Sequence, residues 1–205
     1  MMRIFFYGLV LIFISGCSFQ TVVSASNEYK IDVGNKIGRY DSTGCKGYVL
    51  RVKNVESYTH IKSRSIYYGV GDYELSTYTK SNWQEAPFKS IKHSIIKELR
   101  ESKIFKDIVS NRSSVQPDYV LEYSVENFIQ RFSEDMKSST VEVKIHFSLI
   151  NYKTSKLLYS TTIEKKLPSA SLDAIGGVKA ISRALGDVIE QDTLWLNDRC
   201  KEDIK

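Results

Sequence analysis

Three cysteines, three histidines and the adjacent acids Glu134 and Asp135 are the side chains of this 205-residue chain best suited to catalytic or metal chemistry. A metal site needs several His, Cys, Asp or Glu donors at ligand spacing, and a paired-acid mechanism needs one carboxyl held in an apolar pocket. His146 alternates with Lys144 and Ser148 on the polar side of a strand, and His93 lies between Lys92 and Ser94, off the apolar stripe of a helix. His60 falls in a polar connector. All three read as surface histidines. Glu134 and Asp135, in "RFSEDMKSS", read as the exposed tip between two strands. No G-x-S-x-G elbow, H-E-x-x-H helix, P-loop or G-x-G-x-x-G fingerprint occurs, and "GVGD" at 69–72 reads as a hairpin turn because no helix follows it. The expectation is a protein that is not an enzyme and needs neither metal nor cofactor.

The cysteines point elsewhere. Arg3 precedes eleven uncharged residues, Ile4 to Ile14, which suits the core of a signal peptide and is too short for a bilayer span of ~20 residues. Ile14-Ser15-Gly16-Cys17 then resembles a bacterial lipobox, with isoleucine in place of the more usual leucine. In that reading residues 1–16 are removed and Cys17 is acylated; the alternative is an ordinary thiol just past a soluble signal peptide. One acyl chain gives marginal membrane binding and two or more give stable anchoring, at ~0.8 kcal/mol per buried CH₂. Ser18 stands where an aspartate usually retains a lipoprotein at the inner membrane, so by that resemblance the destination is the periplasmic face of the outer membrane. Cys45 and Cys200 remain as an even pair in a chain bound for an oxidising compartment. A disulfide between them is favoured over two free thiols.

The elements that would carry these residues follow from periodicity. Residues 17–45 read as a lipidated cysteine and a flexible tether, with a single domain over 46–205. The formal net charge of +5 is scattered, one unit of it on Arg3, and reads as a solvated surface instead of a nucleic-acid footprint. "GYVLRVKNV" alternates like a half-buried strand, and Gly69–Asp72 divides two further short strands. Phe88, Ile91, Ile95 and Leu99 fall at helical spacing, with Ile96 widening the stripe and Pro87 at the first helical position. Phe105, Ile108 and Val109 suggest a short strand. Tyr119, Leu121, Tyr123 and Val125 share one strand face, Val141 to Leu149 alternate without a fault, and Leu157, Tyr159, Ile163 and Leu167 read as in phase, joined by a hairpin at 151–156. A final helix over about 172–196 has small residues at Gly176, Gly177, Ala180, Ala184 and Gly186, which suits close docking on a sheet. The expected fold is α+β: one two-layer domain, a mostly antiparallel sheet with two helices on one face.

Thirteen tyrosines stand out, with Tyr67, Tyr68, Tyr73, Tyr78 and Trp83 gathered before the first helix. They read either as half-buried strand residues or as a binding surface for a partner, since Tyr and Trp are enriched at interfaces.

The run "IYYGVGDYELSTYTKSNWQEAP", the helix ending "LRESKIFKDIV", then "PDYVLEYSVENFIQ", "LLYSTTIE" and a last helix closing on Trp195-Leu196 together resemble the ABC-type transport auxiliary lipoproteins. These are outer-membrane partners of MCE (mammalian cell entry) type lipid transporters, and include the paraquat-inducible protein C type. The resemblance covers about residues 48–196. It implies a non-enzymatic lipoprotein that contacts a periplasmic MCE assembly, handles phospholipid, binds no nucleic acid and is free to form a homo-oligomer. Two other envelope roles fit the same make-up: a lipoprotein that assembles a β-barrel, as in lipopolysaccharide export, and an activator of peptidoglycan synthesis.

Overall fold

The computed structural model describes residues 26–34, 40–41, 43–71 and 73–201. The signal segment 1–16, Cys17 and Asp72 lie outside the described residues. Eight strands and two helices are described: β1 (Asn27–Tyr29), β2 (Val49–Ser57), β3 (Ser65–Val70), β4 (Glu74–Trp83), α1 (Pro87–Ser102), β5 (Asp107–Ser110), β6 (Tyr119–Phe132), β7 (Ser139–Asn151), β8 (Lys156–Pro168) and α2 (Ala174–Lys201). A 3₁₀ turn, Thr59–Lys62, links β2 to β3.

The long alternating segments form the trunk of the sheet. β6 pairs antiparallel with β7, and β7 with β8, over nearly their whole lengths. Val141, Val143, Ile145, Phe147 and Leu149 are fully buried, while the residues between them reach solvent on the other face. Beyond β6 the sheet forks. Leu50 to Ser57 of β2 pair parallel with the first half of β6, up to Val125, and β5 pairs parallel with β2 outside it. Tyr68 to Val70 of β3 pair parallel with Gln130 to Phe132, followed outward by β4 and β1. A bulge between Val125 and Asn127 marks the change of partner. An extra residue at a bulge bends and twists its strand, which lets one strand serve two divergent half-sheets. The sheet is thus mixed, its long ladders antiparallel and its short ones parallel.

Both helices cover the same face. α1 starts at Pro87, whose missing N–H costs nothing in the first turn, and buries Ile91, Ile95 and Leu99 over β2 and β5. Full burial of each such side chain contributes roughly 1.5–3 kcal/mol. α2 is capped by Asp173, whose Oδ1 accepts from the Gly176 N–H at 2.8 Å, and crosses β6, β7 and β8. A methyl at Gly177 would stand 2.0 Å from Gln130 Oε1, so a side chain there would displace the Gln130 amide on which the first turn of α2 sits.

Two expectations change. Leu157 is 59% exposed, because an irregularity between Leu149 and Ile150 in the β7–β8 register shifts the phase and brings Leu158 to the core. The tether, expected to run to residue 45, ends sooner. β1 adds to the sheet edge, and the chain then straps along the helices. Asp32 N–H donates to Ser182 Oγ at 3.2 Å, and Val33 carbonyl lies so near Gly186 that a methyl there would come within 2.8 Å. Tyr40 OH donates to Glu98 Oε1, and Asp41 meets Asn197 at 3.3 Å and Lys201 at 2.9 Å. The strap ends at a disulfide between Cys45 and Cys200, with Cα atoms 5.4 Å apart. The alternation of Tyr29, Ile31 and Val33, which pack against the core together with Tyr40, is too short to set this segment apart from a tether, and polar contacts complete its hold.

The bridge joins residues 155 apart, so chain entropy assigns it up to about 5 kcal/mol. Replacing both cysteines by serine should lower the urea-unfolding free energy by a few kcal/mol towards that bound, and reducing the native protein should do the same. Asp192 yields a second expectation. It is fully buried in α2, neither carboxylate oxygen has a hydrogen-bond partner among the described residues, and burial pushes its pKa well above the carboxylate range. The folded state therefore keeps a proton that the unfolded state releases, and stability falls as pH rises from about 4 towards the folded pKa. Asp192→Asn removes that titration. Unfolding at pH 5 and pH 7 should show the variant gaining on the parent by up to about 1.4 kcal/mol per pH unit; equal pH slopes would contradict it.

Candidate functional site

The five aromatics singled out in the sequence part company in the fold. Trp83 is interior, 3% exposed, with its ring 6.1 Å from that of Phe128. Tyr68 and Tyr78 are half-buried with rings 4.7 Å apart, Tyr68 leaning edge-on to Phe132. The Tyr78 hydroxyl donates to Gln130 Oε1 at 3.0 Å, and burial raises its pKa. Gln130, almost fully buried, passes its amide on to Ser139 Oγ at 2.9 Å. These three positions are scaffold: they fix the β3–β4 hairpin against the trunk and seat the start of α2. Tyr73, by contrast, is fully exposed at the β3–β4 turn.

Tyr67 belongs to a different group. Its ring lies 5.7 Å from His60, which stacks at 5.7 Å on Tyr58. The three rings form a ladder from open solvent, where Tyr58 is 59% exposed, inward to a small gap lined by Tyr67, Trp83, Phe128 and Ile181. His60 is half-buried, not a surface residue as its polar neighbours suggest. Burial lowers its pKa, and Nε2 has no hydrogen-bond partner among the described residues. Beside Tyr58 the fork opens a groove of about 390 Å³ between Ser57–Thr59 and Ser124–Glu126.

Chemically, this groove can bind and orient; it has no groups for bond-making. Glu126, the acid among the described residues that line it, is paired to Lys144 at 2.9 Å. Glu134 and Asp135 stand on the β6–β7 turn, where Asp135 is held ionised by Ser133 and by the Lys137 backbone. His146 is tied to Thr162 on the open sheet face, and no group of three metal donors occurs among the described residues. No helix among them is long and apolar enough to cross a membrane.

Tyr58 and Gln130 were missed from the sequence. Gln130 carried a signal: a lone amide in phase with Phe128 and Phe132 announces a polar partner in the core. Tyr58 carried none, since only the fork makes a strand end into the wall of a groove.

Comparison with known proteins bears first on the fold. Protein XCC0632 of Xanthomonas campestris, of family DUF330, superposes with a TM-score of 0.74 at 17% identity, covering 87% of this chain and 98% of that one. An uncharacterized protein superposes with a TM-score of 0.62 at 13% identity over 84% and 99%. The PelC dodecamer of Paraburkholderia phytofirmans is more distant, at 0.45 and 16% over 74% and 91%. None of the curated proteins matches the chain. Residues 39–191, from the strap through most of α2, match the family described as ABC-type transport auxiliary lipoprotein component. The chain belongs to that family, the membrane-anchored, periplasm-facing lipoproteins that assist ABC-type transport.

Proposed function

We propose that this protein is the outer-membrane lipoprotein of an MCE-type lipid transport system, anchored through acylated Cys17 and docking on a periplasmic MCE-domain protein. The family match over residues 39–191 carries the reading. The lipobox Ile14–Cys17 and Ser18 support the anchor and its destination. The body adds a physical argument: every grouping of titratable side chains described above is paired, stacked or structural, so the task left to the surface is contact with other molecules.

Within the set of aromatics, Tyr67 is the one that joins a route open to a partner, through His60 to Tyr58. An exposed aromatic beside a groove is the kind of anchor that dominates protein interfaces, where truncating one such residue costs about 2 kcal/mol or more. ATP hydrolysis belongs to another subunit in this scheme, and phospholipid is the cargo.

Two outcomes are expected. Cys17→Ala should leave the protein as unprocessed precursor or shift it away from outer-membrane fractions on a sucrose gradient; unchanged fractionation would remove the anchor from the scheme. Tyr58→Asp should weaken capture of the MCE-domain protein by roughly 30-fold or more, with far-ultraviolet circular dichroism and membrane fractionation unaltered. Capture at parental strength would move the docking surface elsewhere.

A further inference from the structure

Exposed apolar side chains occur at both ends of the sheet: Tyr48, Val115, Tyr152 and Leu157 where β2 and β6 start, and a second group at the other end. Three connections meet there: the β3–β4 turn, the β6–β7 turn and the link from β8 to α2. Gly71 N–H donates to the Phe132 carbonyl, Ser133 and Ser138 close the β6–β7 turn, and Ser169 N–H donates to the Ser139 carbonyl. Tyr73 at 100% exposure, Leu75 at 54% at the start of β4 and Met136 at 46% stand at these turns, with Leu172 on the approach to α2 and Ile175 in its first turn. Large apolar groups left in water at neighbouring loop tips mark a surface that another phase or molecule covers.

The direction of the chain says which. β1 pairs parallel with β4, Asn27 opposite Ser81 and Tyr29 opposite Trp83. β4 runs away from the Tyr73 turn, so the polypeptide enters β1 from the side on which that turn lies. Cys17 precedes Asn27 by ten residues, a span of at most about 35 Å. From Ser81 back to Tyr73 is eight residues of β4, at most about 26 Å. The ten-residue tether is therefore long enough to bring the acyl group level with the tips on this side of the domain. After β1 the strap leads away from the tips, to the Cys45–Cys200 bridge at the opposite end of the molecule.

We infer that this end of the domain rests on the lipid surface, with Tyr73, Leu75 and Met136 entering the headgroup layer. Tyrosine suits that depth, because its ring partitions towards acyl chains while its hydroxyl keeps water contact. The contact is carried by the apolar side chains and not by charge: Lys137 meets Asp135 at 3.6 Å, and the other ionisable groups in these turns, Glu74, Glu134 and Asp173, are acidic. The inference rests on Cys17 being the anchor. It then fixes the orientation, with the bridge and the end of α2 furthest from the bilayer.

The test uses the full-length protein, purified from membranes and reconstituted into phosphatidylethanolamine–phosphatidylglycerol vesicles, with the acyl chains verified by mass spectrometry. Tyr73→Trp and Tyr152→Trp, the latter in the β7–β8 turn at the far end, each report the depth of one end after subtraction of the parental Trp83 and Trp195 signal. Brominated lipids should quench the Tyr73→Trp emission and blue-shift it relative to the same variant before reconstitution, leave Tyr152→Trp unquenched, and do so no less at high salt than at low. Acylated, vesicle-bound protein with both positions unquenched would overturn the orientation while sparing the anchor, and would hand the apolar tips to a protein partner. Quenching at Tyr152 instead would invert the orientation. Protein recovered without acyl chains would bring down the anchor itself, and this inference with it.

Discussion

The structure depends on the need to cover one face of a sheet that is apolar along its whole length. Fourteen residues of β6 and thirteen each of β7 and β8 present a strip too long for a single short helix. The 28 residues of α2 answer the trunk and the 16 of α1 answer the branch made by β2 and β5. Burial of that face is the dominant favourable term, and it is proportional to the apolar area removed from water. The opposite face can then stay wet and charged, with Glu142 meeting Arg131 and Lys166, and Glu126 meeting Lys144. Such exposed pairs add little stability. They serve to keep one side of the sheet soluble.

Polar groups trapped under the helices show where that packing is under tension. Glu98 is nearly buried, and desolvation raises its pKa even though Tyr40 from the strap donates to it. Tyr123, in the centre of the sheet, keeps a hydroxyl without a hydrogen-bond partner among the described residues. Asp192 is the extreme case. The strap's polar contacts lie against the outer side of this same region, so the segment satisfies part of what the helices alone leave open.

Much of this fold could be read in advance, and the reasons are local. The alternation of Val141 to Leu149 has one solution, Pro87 marks a helix start by sterics alone, and two cysteines in an oxidising compartment leave one internal pairing. What escaped was non-local. The parallel pairings of β2 with β5 and β6 join segments far apart in the chain, and strand pattern is blind to partner choice. Bulges at Val125–Asn127 and Leu149–Ile150 shift phase without a residue type that announces them. The candidate site fared less well than the fold. Clustering in sequence put Trp83, Tyr78 and Tyr68 with Tyr73, although a twisted hairpin sends them to three different environments, and the groove residue Tyr58 lay outside the cluster.

The strap and its bridge also decide how the domain answers a pull. Force applied upstream of Asn27 loads first a three-residue strand and then the apolar and polar contacts of the strap, Ile31, Val33 and Tyr40 among them. Peeling stops at Cys45, welded to the last helix, after 18 residues have been paid out. Extended, they measure about 60 Å, part of which the folded strap already spans. Beyond it the load is shared between the covalent link into α2 and the backbone leading to β2. The domain is therefore built as a reel with a fixed stop, able to follow a receding attachment point while its trunk stays whole.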